Sequence, residues 1–163
     1  ASMNGMPHGS GAIHGNGFPG HFCIHFPGST THRRRKVDPR HQLMIRKASG
    51  LLPQTLANAQ PPEILGYFFT SLNDHDYPTL AMMTSQGGLP EEVRQVESLK
   101  HPQPVLLPEN QGELLVEAPV RVSYITRQGQ KQAATWQFCL QRFAPWERWL
   151  ITRIERIDEI KDP

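Results

Sequence analysis

A strict two-residue alternation is the feature that most narrows what this chain can fold into. Leu114, Val116, Ala118, Val120, Val122 and Tyr124 take every second position of one run, with Glu117, Arg121 and Ser123 among the residues between them. Side chains on a strand point alternately to opposite faces, so the run predicts one long strand with a single apolar face. Arg127-Gln128-Gly129-Gln130 then reads as a hairpin turn, and Ala134, Trp136, Phe138 and Leu140 repeat the alternation on a second strand. Pro145 marks another tight turn, and residues 148–157 make a last strand. An antiparallel meander of this kind needs something to cover its apolar face.

The cover lies upstream. Ile64, Leu65, Phe68, Phe69 and Leu72 form one broad stripe at helical spacing, and Pro62 with Glu63 suits a helix start. Asn73-Asp74-His75-Asp76 breaks that helix. Tyr77, Leu80, Ala81 and Met83 predict a short second one, stopped at Gly87-Gly88. Pro90 opens a third, predicted over residues 91–100, with Val93, Val96 and Leu99 on one face. Helices followed by an antiparallel meander define an α+β class, with the sheet expected to curve around the helices like a cone. Asp74, His75 and Asp76 also have the chemistry of an acid/base group. Their place at a helix junction favours turn and cap roles instead.

This layout over roughly residues 60–160 resembles the nuclear-transport-factor-two-like superfamily, also called cystatin-like cone folds. The pieces that carry the likeness are Phe68-Phe69 through Asn73-Asp74-His75-Asp76-Tyr77 to Leu80, and the closing Trp149-Leu150-Ile151-Thr152-Arg153-Ile154. The resemblance implies a cone domain that serves either as an enzyme or as a binding module, and a fold alone does not choose between them. As a binding module, its expected pocket is lined by Trp136, Phe138 and helix residues such as Phe68.

Composition changes sharply near residue 50. Seven of the thirteen glycines fall between Gly5 and Gly28, and six of the eight histidines between His8 and His41. The expected organisation is a His/Cys-rich segment over 1–50, a proline-containing linker over 51–61, and the α+β domain over 62–163. The net charge of +2 says little about partners. The short basic block Arg33-Arg34-Arg35-Lys36 has no interleaved aromatic residues, so it reads as a solvated loop face and not as a nucleic-acid contact. No apolar run approaches the roughly 18 residues of a membrane-spanning helix, and no signal peptide is visible.

Within the first segment, Gly20-His21-Phe22-Cys23-Ile24-His25-Phe26 alternates again. His21, Cys23 and His25 share one face of a strand, at roughly 6.5–7 Å between neighbours, and Phe22, Ile24 and Phe26 share the other. The apolar face is expected to anchor the strand and the polar face to stay open. An imidazole beside a thiol takes its proton or stabilises the thiolate, which turns a weak nucleophile into a strong one. Gly15, Gly17, Pro19 and Gly20 predict a loop whose backbone amides approach a substrate carbonyl. Cys139, inside Trp136-Gln137-Phe138-Cys139-Leu140, reads as a structural thiol; it is also available to pair with Cys23 in an oxidising compartment.

Residues 5–48 resemble part of the L,D-transpeptidase catalytic region, whose motif is an upstream His-Gly, a glycine-containing loop, and Ser-His-Gly-Cys followed by an aliphatic and a polar residue. Here the upstream pair is His8-Gly9, the histidine two before the cysteine is His21, the cysteine is Cys23 and the aliphatic residue is Ile24. Gln42-Leu43-Met44-Ile45-Arg46-Lys47-Ala48 falls where the family has a helix after its catalytic loop. The chain departs from the motif at Phe22, where the family has glycine, at Gly20, where it has serine or threonine, and at His25. About twenty residues precede Cys23, fewer than the roughly fifty a domain needs for a core, so the expectation is either that sequence before Ala1 completes the domain or that this segment is a remnant. The resemblance implies an extracytoplasmic cysteine acyltransferase or amide hydrolase acting on a peptidoglycan stem peptide without a cofactor. Cys23 would be the nucleophile, His8 the general base and His21 an oxyanion or loop-positioning residue, with Gly9, Gly20 and His25 in support.

The same residues admit two further readings. His21, Cys23 and His25 form a ligand set for zinc, with His8, His14 or His32 completing a tetrahedron, although the spacings match no zinc-knuckle pattern. They also fit a histidine- and glycine-rich surface segment holding one buried cysteine. Two functions therefore stand side by side: a divergent L,D-transpeptidase-like enzyme with an accessory cone domain, or a non-enzymatic ligand- or protein-binding module of the cone class.

Overall fold

A computed structural model of the chain describes residues 1–6, 15, 17, 21–30, 37–85, 88–100 and 113–157, with the backbone alone for 2–6 and 21–23. The chain divides into two compact units, Ala1–Leu52 and Pro53–Pro163.

In the first unit, β1 (Ser2–Met6) and β2 (His21–His25) pair antiparallel, with Asn4 opposite Cys23 and Ser2 opposite His25. α1 (Pro39–Ala48) follows. Asp38 caps it, accepting from Arg40 N at 2.9 Å and His41 N at 3.4 Å, and Pro39 occupies a first-turn position where no amide hydrogen is needed. Gly50 ends it in the left-handed conformation, φ +72°. Its N–H donates to Lys47 O at 3.1 Å and that of Leu51 to Arg46 O at 2.9 Å, the paired bonds of a Schellman stop.

The second unit begins within α2 (Leu52–Asn58). The expected linker is therefore a helix over most of its length. Leu52, Leu56 and Ala59 recur at helical spacing and are buried, and Pro53 sits in the first turn, where proline is tolerated. α3 (Pro61–Asn73) starts one residue before the predicted position, and Glu63 Oε2 accepts from Gln60 N at 2.8 Å. The whole predicted stripe, Ile64, Leu65, Phe68, Phe69 and Leu72, is buried.

The junction after α3 works as a double cap. Asp74 closes α3, His75 adopts φ +54°, and Asp76 caps α4 (Tyr77–Met83) by accepting from Thr79 Oγ1 at 2.6 Å and Thr79 N at 3.4 Å. Asn73 Oδ1 accepts from Leu99 N at 3.0 Å. The Asp-His-Asp trio thus does structural work at this corner.

The predicted third helix is cut short. α5 covers only Glu91–Arg94, and β3 (Val96–Lys100) takes up the rest. Val96 is buried in the strand, as it would be in a helix, so a single apolar residue does not separate the two periods. Pairing decides it: Val96, Leu99 and Lys100 lie opposite Thr126, Tyr124 and Ser123.

β3, β4 (Leu115–Thr126), β5 (Lys131–Gln141) and β6 (Leu150–Ile157) form one antiparallel sheet in that order. With five helices among the described residues, the class is α+β. Val116, Ala118, Val120, Val122 and Tyr124 are all buried on β4, as the alternation predicts, while Leu114 lies outside the strand and is exposed. Gly129, at φ +80°, closes the β4–β5 loop, with its N–H donating to Thr126 O at 2.8 Å and Thr126 N to Gln130 O at 2.9 Å. That last bond sets the parity of the ladder: even-numbered residues of β4 turn their amides toward β5. Pro119, opposite Gln137, therefore points its nitrogen to the other side. β3 pairs only with residues 123–126 of β4, so no partner strand among the described residues needs that missing hydrogen.

Phe68 and Phe69 from α3 meet Phe138 from β5 edge to face, with ring centroids 5.3–5.6 Å apart. Trp136 and Tyr124 extend the same layer. Their polar tips converge on one carboxylate, since Glu92 Oε1 of α5 accepts from Tyr124 OH at 2.5 Å, Arg156 Nη1 at 3.2 Å and Trp136 Nε1 at 3.4 Å. Burial and the adjacent Glu92 carboxylate push the Tyr124 phenol up from 10.0 to about 12.

Two outcomes follow from this core. Phe138→Ala lowers stability by about 3–5 kcal/mol in chemical denaturation, the cost of emptying a fully packed aromatic site, whereas Trp146→Ala, at an 85% exposed position, changes it by no more than about 0.5 kcal/mol. The phenol of Tyr124 stays protonated to higher pH in the folded chain than in the unfolded one, so its contribution is complete below pH 10 and is lost as pH rises toward 12. The stability difference between the parent chain and Tyr124→Phe, measured at each pH, should shrink across that interval; a difference independent of pH from 9 to about 12 contradicts the assignment.

Candidate functional site

The residues singled out from sequence in the first unit are only partly placed. His8, Gly9, His14, Gly20 and His32 lie outside the described residues, and for His21 and Cys23 the backbone alone is described, within β2. Gly15 and Gly17 both adopt left-handed φ, +78° and +69°, as a glycine loop allows.

His25 is fully placed, and its surroundings correct the expected orientation of the strand. It is 9% exposed, while Ile24 and Phe26 are each 60% exposed. The face predicted to stay open is covered at His25, and Ile24 and Phe26, predicted to help anchor the strand, are open. The cover is His41 of α1, whose ring lies parallel to that of His25 at 3.6 Å between centroids and 13° between planes. Ser29 Oγ approaches His25 Nδ1 at 3.5 Å. Gln42, the next residue on α1, ties the turn after β2 by donating to Phe26 O at 3.4 Å and accepting from Gly28 N at 3.3 Å. A flat polar ring delivered by α1 thus outweighs the apolar pattern, because this helix shields one side of a two-stranded ribbon. Among the described residues no group of His, Cys, Asp and Glu is arranged to hold a metal ion. Cys139 is a free, buried thiol, as a structural cysteine would be.

In the second unit, Phe68, Trp136 and Phe138, expected to line a ligand pocket, are each at most 1% exposed and packed on one another. They are core. A concavity lies elsewhere, where α4, α5 and the β4–β5 turn meet. It holds about 350 Å³, and Tyr77, Ala81, Leu89, Arg94 and Arg127 are among the residues that line it. Among the described residues its lining contains no carboxylate and neither arginine has an ion-pair partner.

Both guanidiniums are held in place by neutral groups. Arg127 Nη2 donates to Tyr77 OH at 2.5 Å, and Arg94 Nε donates to Leu89 O at 2.9 Å. Gly88, at φ +70°, lets the backbone pass close to Arg94: a Cβ there would stand 3.2 Å from Arg94 Nη2. The chain brings the two arginines together through β3, since Arg127 N donates to Gln95 O at 2.8 Å immediately after α5. No local motif announces this pair. Arg94 reads as a helix residue and Arg127 as a turn residue, and only the β3–β4 pairing makes them neighbours.

Two fixed cations with no ion-pair partner among the described residues, beside an apolar wall, make a site for an anion with an apolar body. No family model, curated protein or solved structure matches the chain.

Proposed function

We propose that the chain is a non-enzymatic binding module of the nuclear-transport-factor-two-like class, and that residues 53–163 carry its site for an anionic ligand. The observation behind the ligand is the recess at Arg94 and Arg127, which presents two guanidiniums with no carboxylate among its described lining residues. The element order supports the class: helices come first, then a four-stranded antiparallel meander with a buried apolar face. Binding to such a site raises the melting temperature, because the ligand associates with the folded chain alone. Small anionic compounds with apolar bodies should raise the melting temperature of the parent chain and lose that effect in Arg94→Ala with Arg127→Ala. A shift of equal size in the double variant, or none with any anionic compound, sinks this reading.

The acyl-transfer reading of Cys23 rests on the sequence motif, and the one fully placed residue of its polar strand face is covered by His41. A binding module needs no activated thiol. With iodoacetamide at neutral pH, Cys23 should label no faster than a simple thiol, and Cys139 more slowly because it is buried. Labelling of Cys23 many times faster than a simple thiol would move the function to the first unit and to the L,D-transpeptidase-like chemistry.

A further inference from the structure

The arginine recess has a neighbour. A second concavity of about 220 Å³ shares Thr84, Gly88 and Leu89 with it, and Ile151, Thr152, Arg153 and Ile154 of β6 form another wall. β6 is one of the two outer strands of the sheet. Its outer side already accepts an extended segment: Thr84 forms a parallel bridge to Ile151, Ser85 N donates to Ile151 O at 2.9 Å, and Ser85 Oγ donates to Thr152 O at 3.4 Å. The chain then turns off this edge, with Gly88 N donating back to Ser85 O at 3.2 Å. Beyond that point no strand among the described residues pairs with the outer side of β6.

We infer that the two adjoining recesses hold the carboxyl-terminal end of a peptide chain, with its carboxylate at Arg94 and Arg127 and its preceding residues extended along β6. The inference rests on the anion-binding reading above and adds the ligand's chemistry. Each guanidinium spends one N–H on a neutral oxygen that fixes its direction, and its other donors remain for a carboxylate, whose two oxygens match the planar fork. Arg153, the cation on the β6 side, stands 3.7 Å from both Glu117 and Glu155, so the unpaired positive charge is concentrated at the other recess. Strand addition to a sheet edge supplies main-chain hydrogen bonds that suit any sequence, and Ala81 and Leu89 offer apolar surface to a terminal side chain.

The test is an amide-resolved NMR titration of the full 163-residue chain with four probes: a pentapeptide ending in leucine as its free acid, the same peptide amidated, acetate, and inorganic phosphate. The free acid should shift the amides of Leu89 and Arg127 together with those of Thr152 to Ile154. Amidation should weaken it by about tenfold or more, the value of a hydrogen bond to a charged group. Arg127→Ala, whose own spectrum reports its folding, should reduce the free acid to the level of the amide. Equal binding of acid and amide overturns the carboxylate anchor. Shifts by acetate or phosphate at Arg94 and Arg127, with the peptide adding nothing along β6, overturn the peptide and leave anion binding standing. No shift with any probe removes both.

Discussion

The second unit is organised by the edge-to-face contact of Phe68, Phe69 and Phe138. Three large rings from one helix and one strand interlock at centroid distances near 5.5 Å, and such geometry is favourable only over a narrow range of angles. It sets the rotation of α3 over the sheet. Once α3 is set, the Asp74–Asp76 corner places α4, and Asn73 ties the same corner to β3 through Leu99. The layer has to be solid for this to work, which is why its aromatic residues form a core and leave no room for a ligand.

A solid interior moves binding to the periphery. At one place the sheet's margin is sealed by Glu92, which gathers the polar ends of Tyr124, Trp136 and Arg156. A single carboxylate that satisfies two buried aromatic donors and one cation leaves little unpaired charge. Two residues further along the chain the balance is reversed. Arg94 and Arg127 are oriented by a carbonyl and a phenol, neither of which offsets their charge. The contrast between the compensated carboxylate of Glu92 and the guanidiniums of Arg94, on the same short helix, and Arg127, in the β4–β5 turn, which have no ion-pair partner among the described residues, is what separates scaffold from candidate site.

Much of the scaffold was legible from periodicity. The stripe of α3, the alternation of β4 and β5, and the turn at Gly129 each follow from the spacing of apolar residues and from glycine's access to positive φ. Legibility failed where a short apolar run fits both periods, as at Val93–Leu99, and where prolines suggested a linker although Leu52, Leu56 and Ala59 hold a helix in place. It failed again at His25, because burial there is decided by a ring arriving from α1, which strand alternation does not encode. The arginine recess was not legible at all: Arg94 and Arg127 are thirty-three positions apart (127 − 94) and meet through strand pairing.

Pro119 carries one more consequence. The first half of β4 pairs with β5 on one side but has no strand on its β3 side among the described residues, and an open edge of regularly spaced amides is a template on which further copies of a chain stack. Proline interrupts that template by withholding a donor midway along the edge. Glu117 and Arg121, exposed on the opposite face from the core, put charges on either side of it. The same residue that breaks the apparent regularity of the longest strand therefore also makes that edge a poorer template for strand addition.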